Sequence, residues 1–242
     1  MAVVSKSSWI RFNMRADILD RLQAWRREKR ACALVTHISS GMSALVDQTT
    51  QCGELSLSDS EVELVRARIA ADQSGMLESG HFVRVYAPPL RMIVIGAVHI
   101  AKALVPAAAL AGFEVIVIDP REAFVRSEQM KDVTAIVGWP DEAMDQLKPD
   151  SRTAVVTLTH DPKIDDPALS SALRSKVFYI GALGSRKTHA KRAERLLAAG
   201  FSPDEVGRIH GPVGLDINAL TPAEIAISIV AQAISILRAE AE

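Results

Sequence analysis

Hydrophobic positions change their spacing near the middle of the chain. Over residues 14–30, Met14, Ile18, Leu22 and Trp25 recur at helical intervals with arginines and glutamates on the other faces, which predicts a surface helix. Its basic end, Arg26-Arg27-Glu28-Lys29-Arg30, suits the negative end of a helix dipole better than a nucleic-acid patch. Residues 31–38 read as a buried strand closed by a Ser39-Ser40-Gly41 turn, and the stretch from Gly41 to Gly53 has little pattern. Ser58-Asp59-Ser60-Glu61 reads as a cap for a second helix through Val62, Val65 and Ile69. Residues 81–86 alternate as a strand. Pro88-Pro89 then stiffens the chain and removes two backbone donors, which marks a boundary between a region 1–89 and a region 90–242.

Beyond Leu90, short apolar runs alternate with helical segments. Strands are expected at 92–96, 114–118, 133–137, 153–158 and 177–180, with helices in the gaps. Near-continuous apolar strands imply a sheet buried on both faces, so the fold class is α/β, a Rossmann-like doubly wound parallel sheet with a smaller N-terminal α+β region. Helix starts are signalled at Pro140, Pro167, Ser202-Pro203-Asp204-Glu205 and Thr221-Pro222-Ala223-Glu224. Pro106 falls inside the helix expected over 99–111 and predicts a kink. The last helix, 222–237, is apolar on almost every face and needs cover, either between the two regions or from a second copy in a homodimer.

Composition narrows the class. With 242 residues, 48% hydrophobic and 24% charged, the chain reads as ordinary globular protein, and a net charge of -1 gives no electrostatic case for nucleic acid or an acidic membrane. Cys32 and Cys52 are too few for a disulfide framework and have no metal-ligand spacing. Without an export signal or a run of about 18 apolar residues, the expectation is a cytoplasmic protein off the membrane.

Open parallel sheets bind ligands beyond the carboxyl ends of their strands. After the first strand come Gly96 and His99, in a strand–glycine–helix turn of the kind that opens a dinucleotide site. Val98 occupies the place of that fingerprint's second glycine, where it would crowd a pyrophosphate and would be strained at positive φ. Asp119 stands where an acidic side chain takes the ribose hydroxyls of an NAD-type cofactor, and it is equally a strand-ending Asp-Pro turn. NAD(P) and a nicotinamide-dependent oxidoreductase therefore stay open. In Gly184-Ser185-Arg186-Lys187, Ser185 reads as an N-cap followed by cations, a conflict that an anion would relieve. The plainer reading is a solvated basic face continuing through His189, Lys191, Arg192 and Arg195. His160-Asp161 and His99 are acid–base candidates or simple loop histidines, and no hydrolase elbow or zinc-protease spacing accompanies them. The loop from His210 to Asp216 either wraps a ligand or serves as a rigid connector.

Three segments resemble the XdhC/CoxI family of xanthine dehydrogenase accessory proteins. They are Gly96-Ala97-Val98-His99, the run from Tyr179 to His189, and the run from Ile209 to Ile217 followed by Thr221-Pro222-Ala223-Glu224-Ile225-Ala226. The resemblance implies a maturation factor rather than a metabolic enzyme: a molybdenum cofactor chaperone that protects the cofactor and delivers it to a molybdoenzyme apoprotein, with a cysteine desulfurase as a further partner. It implies a cleft involving Gly96, His99, Asp119, His160, Gly184, Ser185, Arg186, His210 and Asp216, touching the pterin and its phosphate. The N-terminal region departs from the pattern. Where relatives carry a G-S-x-P-R segment and a G-G-C-V-E segment, this chain has Ser39-Ser40-Gly41-Met42-Ser43 and Leu57-Ser58-Asp59-Ser60-Glu61, so the cysteine is missing.

Overall fold

A computed structural model describes residues 16–126 and 133–239. Met14 lies outside the described residues. The chain divides into two compact units that part between Pro88 and Pro89.

In the first unit the elements run α1 (Ala16–Arg27), β1 (Cys32–His37), β2 (Ser43–Val46), β3 (Gln51–Gly53), α2 (Asp59–Ala70), β4 (Gly75–Met76) and β5 (His81–Tyr86). They build an antiparallel sheet in the order β3-β2-β1-β5-β4. Period-two alternation sends Ala33, Val35, Ala44 and Val46 to the α2 side, and Cys32, Leu34 and Leu45 to the α1 side against Ile18, Leu22 and Trp25. The weakly patterned stretch after Gly41 is a hairpin. Its strands are too short to show alternation, and buried Asp47 holds the turn by accepting the Thr49 and Thr50 N–H groups and pairing with Arg30. Ser58 and Glu61 close the expected capping box at α2.

The second unit runs β6 (Leu90–Ile95), α3 (His99–Leu110), β7 (Phe113–Asp119), α4 (Glu122–Val125), β8 (Thr134–Val137), α5 (Pro140–Leu147), β9 (Thr153–Thr157), α6 (Pro162–Arg174), β10 (Tyr179–Ala182), α7 (Arg186–Ala198), α8 (Pro203–Gly207), β11 (Ile209–His210) and α9 (Pro222–Ala239). The sheet is parallel throughout, in the order β11-β10-β9-β6-β7-β8. That is the doubly wound order, with the chain reversing direction across the sheet between β6 and β9. Alternate residues of β6 face opposite layers: Met92 and Val94 pack toward α3 and α9, while Ile93 and Ile95 pack toward α5 and α6.

Several expectations need correction. Helix α6 begins at Pro162, because Asp161 caps it by accepting the Lys163 N–H at 2.9 Å, so Pro167 sits inside the helix rather than at its start. Strand β10 ends two residues later than its apolar run suggested, since Gly181 and Ala182 pair with Val156 and Thr157 of β9. The two-residue β11 has no pattern of its own and exists through pairing with Ile180 and Gly181. As expected, Pro106 lies inside a helix, α3, which runs on to Leu110. Helix α9 buries Ala226, Ile229, Val230 and Ala233 in the second unit's core, on the α3 side of the sheet, and leaves Ile227 and Ile234 exposed. Among the described residues it is also the one helix long and apolar enough to cross a membrane by length and composition.

Candidate functional site

The carboxyl edge of the parallel sheet gathers the turns after β6, β7, β9, β10 and β11. In the first of these, Gly96 takes φ +105° and donates its N–H to the Ile118 carbonyl at 2.8 Å. A side chain there would come within 2.5 Å of Thr159 Cγ2 as well as adopting a disfavoured backbone. Gly96 therefore lets the β6 turn seat closely against the β9 turn. Val98 is not strained: it caps α3 in an extended conformation, φ -94°, and His99 is exposed as the first helical residue.

Asp119 is fully buried. Its carboxylate accepts the Ala97 N–H at 2.8 Å, the Arg121 backbone N–H at 2.9 Å, and the Arg121 guanidinium at 2.9 and 2.7 Å. Burial opposes ionisation, but the Arg121 and Ala97 hydrogen bonds outweigh it and hold the carboxyl below its ordinary range. Four donors fill the acceptor capacity of a carboxylate. The side chain expected to meet ribose hydroxyls instead ties two strand-end turns together, as the Asp-Pro turn reading has it.

After β9, His160 is exposed at φ +62°. Buried Asp165 receives the Thr159 hydroxyl at 2.7 Å and the His160 backbone N–H at 3.1 Å, which holds this turn over the start of α6. His160 and His99 face solvent on separate turns. At the start of α7, Ser185 accepts the Thr188 N–H at 3.2 Å, the expected N-cap, and Gly184 takes φ +142° just before it. The basic face of α7 is not uniformly solvated. Arg192 is 2% exposed and donates to the Leu183 carbonyl at 2.8 Å.

The loop after β11 is held from below. His210 stacks on Tyr179 with ring centres 5.1 Å apart, and burial lowers the His210 imidazole's affinity for a proton. Tyr179 donates its hydroxyl to Gln232 Oε1 at 2.6 Å; the same oxygen accepts the Gly214 N–H at 2.8 Å, and Gln232 Nε2 donates to the Gly214 carbonyl at 3.1 Å. One amide on α9 thus fixes both backbone groups of Gly214. Above this loop lies a cleft of about 460 Å³, walled by Leu183, Val213, Leu215 and Ile225, with Arg186 and Asp216 at its polar edge. That volume falls in the range of small-molecule sites.

The structure therefore brings Arg186 and Asp216 to one cleft, with Ser185 and Gly184 shaping the helix start beside it. His160 lines a separate cavity with α7 residues, while Gly96 and Asp119 form a closed turn and His210 supports the loop by stacking. Sequence reasoning missed Gln232, and Arg192, expected on a solvated basic face, is buried instead. Gln232 is the lone amide inside an apolar helix, a signal that points to a buried hydrogen-bonding task. In the first unit neither cysteine stands at α2's start, and burial, reinforced by nearby Asp47, pushes the Cys32 thiol up to about 11, away from thiolate chemistry.

The family model for the XdhC Rossmann domain matches residues 92–233. Among curated proteins, the chain is 38% identical over 98 residues to the molybdenum cofactor insertion chaperone PaoD of Escherichia coli, covering 40% of this chain and 30% of that protein. It is 34% identical over 154 residues to a probable xanthine dehydrogenase subunit of Bacillus subtilis, covering 63% of this chain and 44% of that protein. The uncharacterized protein YqeB of Escherichia coli is 30% identical over 160 residues, 64% of this chain and 29% of that protein. The chain thus spans less than half the length of these relatives. A crystal structure of a xanthine dehydrogenase from Bacillus halodurans superposes with TM-score 0.69 at 28% identity, covering 91% of this chain and 64% of that one. With its Rossmann unit matched almost from end to end, the chain belongs to the XdhC/CoxI family.

Proposed function

We propose that this chain binds the molybdenum cofactor as cargo, protects it, and passes it to a partner molybdenum hydroxylase apoprotein of the xanthine dehydrogenase type. The observation that carries this reading is the cleft over the β10 and β11 ends, where Arg186 offers a cation for a terminal phosphate and Asp216 an acceptor for pterin N–H groups beside an apolar wall. The names of PaoD and of the Bacillus subtilis relative support the same class of role. Among the described residues no group of three or more His, Cys, Asp or Glu side chains could hold a metal ion. The grip we propose is on the cofactor's organic part, through Arg186 and Asp216. A hydride-transfer reading loses its main anchor, because Asp119 is committed to Ala97 and Arg121. The same proposal takes the exposed Ile227 and Ile234 face of α9 as a surface for a second copy, and a monomer in sedimentation equilibrium would remove that part.

The test is an anaerobic titration with isolated molybdenum cofactor and, in parallel, with NAD and NADP, on the wild-type protein and on Arg186→Ala. Cofactor binding at about -8 kcal/mol, a micromolar dissociation constant, weakened about tenfold in Arg186→Ala and unmatched by either nicotinamide, is the expected result. Binding of a nicotinamide without the cofactor would overturn the proposal.

A further inference from the structure

The geometry points to a second anion site, separate from the Arg186 cleft, in which Arg192, Lys187 and Lys191 of α7 bind a phosphoryl group. It lies in a cavity of about 260 Å³ that is also lined by His160, Asp165 and Arg195. Arg192 is the built element. It is 2% exposed, one terminal nitrogen is spent on the Leu183 carbonyl, and its Nε and Nη1 atoms have no hydrogen-bond partner among the described residues. A buried guanidinium with two idle donors is a costly arrangement, and a bound anion would relieve it.

Asp165 does not meet that need. Its nearest oxygen is 3.9 Å from Arg192, beyond hydrogen-bond range, and the carboxylate is already engaged by the Thr159 hydroxyl and the His160 N–H. Burial pushes Asp165 up and Arg192 down, each away from its charged form, so the pair does not compensate for its own burial. Arg195 is taken by Asp166, at 2.6 and 2.9 Å. Positive charge is then left over on Arg192, Lys187 and Lys191, and the first turn of α7 supplies Lys187 and Thr188 to the wall, where the helix dipole also favours an anion. A phosphoryl group, with several charged oxygens facing different directions, can meet donors from Arg192 and both lysines at once; a carboxylate has fewer. The cavity is smaller than a cofactor-sized site, which suits the end of a phosphomonoester rather than a whole ring system. The assignment stands whether or not the neighbouring cleft takes the molybdenum cofactor.

The experiment is calorimetric titration of the full chain with inorganic phosphate, then with adenosine monophosphate and with acetate as competitors. Lys187→Ala/Lys191→Ala changes only exposed side chains, so folding is not at stake, and Lys176→Ala is an exposed control. Arg192→Met adds a check, with circular dichroism to confirm that it folds. Expected are phosphate binding below about 1 mM, at least tenfold weakening in the double variant, less than twofold change in Lys176→Ala, displacement of phosphate by the monophosphate and none by acetate. Phosphate binding unchanged in Lys187→Ala/Lys191→Ala, or acetate competing as well as phosphate, would overturn the site, and so would no binding by the wild-type protein.

Discussion

The Asp119 carboxylate, at the end of β7, accepts the Ala97 backbone N–H of the neighbouring β6 turn at 2.8 Å in full burial. With Arg121 closing over it from the solvent side, this one group fastens the turns at the ends of β6 and β7 to each other. Asp119→Ala leaves the Ala97 N–H unpaired and Arg121 without its partner, at a cost of about 3 kcal/mol. Asp119→Asn keeps one acceptor and loses less. Urea melts that place Asp119→Ala within 1 kcal/mol of wild type would refute the fastening role.

The same carboxyl makes stability depend on acid. Its folded pKa lies below its ordinary 3.8, so the unfolded chain binds the proton more readily. The contribution is complete above about pH 5 and is lost as pH falls through the lowered folded value. The stability gap between wild type and Asp119→Asn should therefore be largest near neutrality and shrink toward pH 3, as measured by denaturant midpoints across that range.

Gly96 is held by two constraints that a double variant separates. Gly96→Ala meets Thr159 Cγ2 at 2.5 Å and retains φ +105°, for a combined cost of roughly 2–4 kcal/mol. Adding Thr159→Ser removes the methyl but not the backbone strain, so about half the loss should return. Full recovery in thermal melts would show that the contact alone mattered.

Gly211 is required for a different reason. An added Cβ would overlap the His189 ring, so Gly211→Ala should displace the loop over the Arg186 cleft. His189→Ala opens that space, and the double variant should be more stable than Gly211→Ala alone, with coupling of about 1 kcal/mol or more. Additive losses would show that the ring is not the obstacle.

Gln232 links packing to binding. Gln232→Ala strands the Gly214 N–H and carbonyl and the Tyr179 hydroxyl, whereas Tyr179→Phe removes one hydrogen bond from an amide that keeps its other partner. The expected costs are about 3 kcal/mol for Gln232→Ala and about 1 kcal/mol for Tyr179→Phe. Cofactor affinity should fall in Gln232→Ala and hold in Tyr179→Phe, measured by the titration that tests Arg186.

The sequence by itself determined the two classes of unit. Apolar runs of 92–96, 114–118 and 153–158 mark buried parallel strands because their period is read along the chain, and Ser58, Ser185 and Ser202 mark helix starts because capping is local. Side-chain destinations were less legible. A period cannot tell which of several basic residues on α7 turns inward, and Arg192 does so only because the β9 and β10 turns arch over it. Nor can spacing tell whether Asp119 meets a ribose or a guanidinium two residues on, since that depends on the Ala97 N–H brought alongside by β6–β7 pairing. Strand β11 and the Gln232 clasp exist only through contacts between segments distant in the chain. Local chemistry wrote the elements, while the fit of one strand-end turn against the next decided which polar groups were spent on structure and which remained for a ligand.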